Sequence, residues 1–208
     1  LQWRTRGQLV AVFVFGAASL LLFSFAIGPS AEALRTFSGG FLWLALLLSS
    51  TLTLSESFQA EMENRALEGL LLLPSSPLAL YYGKAIANWI QLAILGIALV
   101  PVMVVLYDAG TLELLKLLVI ILLGSAGLSA PGTLYAAITA QVKAKQTLLP
   151  LLLFPLIVPA LLASVKSTSL AILGDPMHQS TAWIALLCAF DLIYWSLCGL
   201  FYGYVIED

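Results

Sequence analysis

Charge is what this sequence has least of. Asp, Glu, Lys and Arg make up 10% of its 208 residues, hydrophobic residues make up 61%, and the mean hydropathy is +1.03. A soluble domain carries about 25% charged residues, so this chain cannot cover a water-facing surface, and an ordinary soluble fold is excluded. The nine Lys and Arg are scattered and the net charge is -2. That leaves no basic stripe for phosphates and excludes nucleic acid as a partner. Cysteine is scarce too: Cys188 and Cys198 fall in one apolar segment, about 15 Å apart if helical, too far to bridge. They read as packing residues. There is one histidine, too few for a Ser/His/Asp set, and neither HExxH nor GxSxG occurs, so the chain reads as a non-enzyme. GxxxxGK[ST] is missing as well, so any dependence on ATP must come through a partner.

What is present is apolar length. Six runs approach the ~20 residues that cross a ~30 Å hydrocarbon core: Leu9–Ile27, Phe37–Leu54, Ala85–Tyr107, Leu114–Ala140, Gln146–Val165 and Ala182–Tyr204. They lack polar alternation, and backbone groups in lipid must bond within their own segment, so the runs predict helices. The expected fold is a single all-α integral membrane domain over residues 1–208. The chain opens on Leu1. Its first run is long enough to span and has no small-residue cleavage site after it, so it reads as a span rather than a leader.

Orientation follows from Lys and Arg bias. With the N-terminus inside, the inner side holds Arg4, Arg6, Arg65, Lys84, Lys143 and Lys145, and the outer side holds Arg35, Lys116 and Lys166. Six spans then return Glu207 and Asp208 to the cytosol. Tyr81 and Tyr82 at the inner boundary, with Tyr107 and Trp183 at the outer one, fit aromatic anchoring.

Most breaks between runs are short turns, but Ser55–Gly83 is roughly thirty residues long and holds the densest charge in the chain, Glu56, Glu61, Glu63, Arg65 and Glu68. On a helix from Phe58 to Leu73, Glu61, Asn64, Arg65 and Glu68 gather on one face, and Phe58, Met62, Ala66, Leu70 and Leu73 on the other. Glu61 and Arg65 form an i,i+4 pair in the favourable order, Glu63 sits near the apolar edge, and Pro74 ends the pattern. Two readings are open. One is an interfacial helix on the inner leaflet; the other is a docking segment for a protein partner. Such leaflets are anionic and repel acidic charge, so the second explains four glutamates and one arginine better.

The run Phe58–Trp89, FQAEMENRALEGLLLLPSSPLALYYGKAIANW, closely resembles CcmB, the permease family of the ABC heme exporter in cytochrome c maturation. The resemblance is carried by Glu61, Glu63, Glu68, Gly69, Leu70–Leu73, Pro74, Gly83, Lys84 and Trp89. It extends to the six-span layout and the length of the chain.

That resemblance implies a type-2 ABC permease. Its coupling helix, at about residues 56–73, would seat in a groove of a separate cytosolic ATPase through Glu61, Glu63, Arg65, Glu68, Leu70 and Leu73. It further implies a bacterial inner-membrane complex with a second copy of the chain, a heme-handling membrane subunit and a small membrane peptide. Heme would then be a handled or transported ligand rather than a bound cofactor. ATP energy would serve heme delivery, or release of heme-loaded chaperone, at the periplasmic side. Two alternatives remain beside it: a type-2 exporter of another substrate, and a non-transporting membrane scaffold.

Four further features stand outside the loop. Asp191 is the one carboxylate deep in a span, where insertion is penalised by roughly 2.5–3.5 kcal/mol, so it should face the bundle or a wet cavity. With Tyr194 nearby it is a candidate polar site, for transport or for a structural hydrogen bond. His178 lies in the outer link and histidine is a common axial heme ligand, but a single loop histidine reads more simply as surface; no CxxCH is present to hold heme covalently. Gly124, Ser125, Gly127 and Ser129, and the Gly199/Gly203 pair, permit close helix approach, within the fold or between copies. Pro150, Pro155 and Pro159 predict kinks or a break in the fifth span, and Ser167–Gly174 is a candidate outer re-entrant helix. No metal site is expected.

Overall fold

The computed structural model describes residues 2–63, 77–110, 113–140 and 145–207. Six long helices account for nearly all of them: α1 (Gln2–Ile27), α2 (Ala31–Glu63), α3 (Pro77–Tyr107), α4 (Leu114–Ala140), α5 (Lys145–Leu173) and α6 (Ser180–Glu207). All six are long and apolar enough to cross a membrane, and there is no strand among the described residues. The all-helical six-span expectation holds.

The helices overrun the apolar runs at several ends. α2 begins six residues before Phe37, α3 eight before Ala85, and α5 continues eight beyond Val165. A charged residue such as Arg35, Lys84 or Lys166 ends an apolar run without ending a helix. What ends these helices is cap chemistry. Gly28 at φ 78° and Gly174 at φ 98° take the left-handed turn that suits glycine after a helix. Their amides donate to Ser24 O and Leu170 O at 3.2 and 3.0 Å. Ser30 Oγ accepts from the Ala33 amide at 3.4 Å to open α2.

Three expectations need correcting. No separate re-entrant helix forms at Ser167–Gly174, because α5 runs unbroken to Leu173. Thr168 is buried there and its Oγ1 accepts from the indole Nε1 of Trp43 at 2.8 Å. Gly39 gives α2 the clearance for this approach, since a Cβ there would come within 3.2 Å of the Ser169 amide. The three prolines do not break α5 either. The proline ring fixes φ near its helical value, and Leu153, Ile157 and Ala160 hold the opposite face in the core. Finally, Tyr81 and Tyr107 are buried rather than interfacial. Their hydroxyls donate to Ala130 O at 3.1 Å and Leu20 O at 2.7 Å, tying α3 to α4 and to α1.

α2 and α4 form the centre. In each, 61% of the most apolar stretch is buried, against 22% in α1 and α6. α4 packs against α2, α3, α5 and α6, and α2 against α1, α3, α4 and α5. Small residues make that centre close. A Cβ at Gly124 would collide with the Trp43 ring and reach Ser164 Oγ at 2.6 Å. A Cβ at Gly132 would meet Leu54 at 2.5 Å. Polar side chains cross between helices where lipid could not serve them: Asn88 Nδ2 donates to Thr133 Oγ1 at 2.9 Å and Ser129 Oγ to Ala85 O at 2.6 Å.

Candidate functional site

The acidic segment begins as the end of α2. That helix carries straight on from the buried Leu54 through Glu63. Glu56, Glu61 and Glu63 therefore stand on the last described turns of α2 instead of on a helix that opens after it. The nine residues after Leu54 extend α2 by about 13 Å. Nothing in the sequence between Leu54 and Glu63 is proline or glycine, so nothing local stops the helix. Arg65, Glu68, Leu70 and Leu73 lie outside the described residues. α3 opens at Pro77, where proline's missing N–H is harmless.

Asp191 sits where α4, α5 and α6 meet. It is 9% exposed. A Cβ at Gly127 of α4 would come within 3.0 Å of its Oδ1, 3.4 Å of Ala160 Cβ and 3.5 Å of the Phe190 ring. The expectation that it faces the bundle is met. Neither carboxyl oxygen has a hydrogen-bond partner among the described residues, so the structural hydrogen bond considered from sequence is not formed there. Tyr194 lies one turn on, with its ring stacked on Phe190 at 4.1 Å.

His178 lies at the opposite end of the bundle from the acidic segment. It is exposed, at φ 51°, and its amide donates to Asp175 O at 3.2 Å. The well-built part of this link is Asp175. Its two carboxylate oxygens accept from the Gln179 and Ser180 amides, each at 2.8 Å, and so cap α6. A hydrogen bond with the Ser180 side chain, those amides and the Lys116 ammonium together hold the Asp175 carboxyl below its usual range. Lys116 also donates to Ser180 Oγ at 3.1 Å and pairs with Glu113 at 2.5 Å, linking the starts of α4 and α6.

Most of the small residues singled out in the sequence face neighbouring helices of the same fold. Gly124 receives Trp43, Gly127 faces Asp191, and a Cβ at Gly199 would reach Tyr82 Oη at 2.8 Å. Sequence reading missed the aromatic chain these glycines admit. Tyr82 stacks on Trp195 at 6.3 Å, Trp195 meets Trp89 edge-on at 6.4 Å, and the two indoles donate to Ala126 O and Leu122 O on α4. The aromatics were visible in the sequence; which helices they join was not.

Six spans, four of them packed around a two-helix core and one continued past its apolar stretch into an acidic segment, define a polytopic membrane protein. The CcmB protein family model matches residues 1–202. The chain is 30% identical over 192 residues to heme exporter protein B of Pseudomonas aeruginosa, covering 92% of this chain and 86% of that one. To heme exporter protein B of Bradyrhizobium diazoefficiens it is 30% identical over 188 residues, 90% and 83% of the two lengths. To that of Rhodobacter capsulatus it is 37% identical over 141 residues, 68% and 65%. The chain belongs to the CcmB family, and the resemblance read from Phe58–Trp89 is borne out.

Proposed function

We propose that this chain is the permease subunit of an ABC-type heme exporter serving cytochrome c biogenesis. The observation that carries the reading is its similarity to heme exporter protein B along 92% of its length. In this reading the protein lies in the bacterial inner membrane with both termini cytosolic, as the Lys and Arg bias favours. A cytosolic ATPase seats on the acidic segment after α2. A second copy, a heme-handling membrane subunit and a small membrane peptide complete the complex, and heme is cargo or handled ligand.

The fold gives this reading a mechanical route. Closure of an ATPase dimer under the acidic segment tilts the projecting end of α2. α2 is one unbroken helix from Glu63 back to Ala31 and packs on four of the other helices. A rigid element so placed passes a tilt directly into the core, where Trp43, Gly124 and Thr168 join α2 to α4 and α5. Heme delivery, or release of heme-loaded chaperone, follows on the periplasmic side.

The test is charge reversal at the contact. Glu63→Lys and Glu68→Lys should each abolish copurification of the ATPase with the tagged chain and lower the yield of heme-bearing cytochrome c. Unchanged association and unchanged yield in both variants would remove the docking role from this segment.

A further inference from the structure

Asp191 combines three properties that are hard to reconcile with an ionised side chain. It is 9% exposed, it stands in the middle of a membrane span, and both its oxygens are buried without a hydrogen-bond partner among the described residues. Its Oδ1 faces the bare backbone of Gly127, and the Ala160 methyl and Phe190 ring crowd the same point. Neither of those two side chains carries an N–H or O–H. A carboxylate stripped of water needs a counter-charge or several donors to replace the lost hydration.

Among the described residues, no charged group lies level with it on the helices that form the slot. On α4 the charged side chain is Lys116, eleven residues and about 16 Å along the axis from Gly127. On α5 they are Lys145, its first residue, fifteen residues and about 22 Å along the axis from Ala160, and Lys166, six residues and about 9 Å away and exposed. On α6 no other residue of the Ser180–Gly203 span is charged, and Asp175, before its start, is engaged in capping. The remaining titratable neighbours on α4 and α6 are Tyr135, Cys188, Tyr194 and Cys198, which carry no positive charge in any form. The slot therefore fits the neutral acid.

We propose that Asp191 is a proton-binding site whose occupancy is tied to the packing of α6 against α4 and α5. While the three helices are packed, the carboxyl keeps its proton. When the seam opens and water enters, the O–H bond breaks, the proton passes to water and the carboxylate is left hydrated. Repacking takes one proton back. The packed seam thus binds one proton more than the open one, so it is favoured in acid and weakens as pH rises above the ordinary carboxylate value of about 3.9. This goes beyond the transport reading and does not depend on the cargo.

The experiment uses the full chain in lipid nanodiscs, wild type against Asp191→Asn, the neutral isostere. At neutral pH the infrared difference spectrum should contain the carbonyl stretch of a protonated carboxylic acid, exchanging slowly in D2O and missing from Asp191→Asn. Carboxylate bands in its place would overturn the proposal. As pH is raised from about 5 to about 8, the thermal midpoint of the wild type should fall relative to Asp191→Asn; parallel curves would also overturn it. Should Asp191→Asn not fold, Gly127→Ala serves, since its new methyl presses on Oδ1. It should shift the pH at which the acid band is lost, and an unmoved midpoint contradicts the slot.

Discussion

Trp43 shows how a single side chain organises this bundle. Its ring occupies the space a Cβ on Gly124 would need, and its indole donates to Thr168 on a third helix. Gly124→Val should therefore lower stability by about 1–3 kcal/mol, the usual range for overpacking, read as a lower thermal midpoint in detergent. Trp43→Phe keeps most of the volume and loses the donor, which in a membrane bundle is worth about 0.6 kcal/mol. The glycine variant should be clearly the worse of the two. Asp175 offers a pH test outside the membrane. Its carboxyl is held below the usual range by the Ser180 side chain, the Ser180 and Gln179 amides and Lys116. Its capping contribution is therefore present above the unfolded-state value and is lost as pH falls through the lower folded one. Hydrogen exchange at Gln179 and Ser180, corrected for intrinsic rate, should show protection at neutral pH that fades in strong acid. Asp175→Ala should lack that protection throughout.

At the level of elements, the six helices were legible because apolar length is a strong signal and lipid leaves the backbone no alternative. Their ends were less so. Apolar runs stop at Arg35, Lys84 and Lys166, while helices stop at Gly28 and Gly174, where the backbone turns left-handed. Of the kinks or break expected from the α5 prolines, the break is absent: Pro155 and Pro159 fall on the exposed flank, away from the packed face that holds the helix together. Asp191 was legible as a bundle-facing carboxyl. Its slot was not, because it depends on which glycine of α4 lies opposite. The projecting end of α2 carries the element's own prediction. Gln59→Pro removes one helical hydrogen bond, to Ser55 O, five residues beyond the buried Leu54, and disfavours helix by about 3 kcal/mol locally. The bundle's thermal midpoint should hold while ATPase association is lost; an equal loss of both would mean that α2's end belongs to the core.

For the whole molecule, orientation decides which face would meet the proposed ATPase. Glu63 and His178 lie at opposite ends of the bundle, α2 ending at one and the α5–α6 link at the other. In intact cells a membrane-impermeant maleimide should label His178→Cys and spare Glu63→Cys, and the reverse pattern would invert the proposed topology. Of the two proposed outcomes, heme delivery and release of heme-loaded chaperone, delivery is what makes the chain a permease, and flux tests it most directly. The assembled complex, reconstituted with its ATPase in sealed proteoliposomes, is given heme and ATP on the ATPase side. The account predicts ATP-dependent accumulation of heme across the membrane, lost in Glu63→Lys. ATP turnover at full rate with no heme crossing would contradict it and leave the chain a scaffold for heme handling rather than a permease.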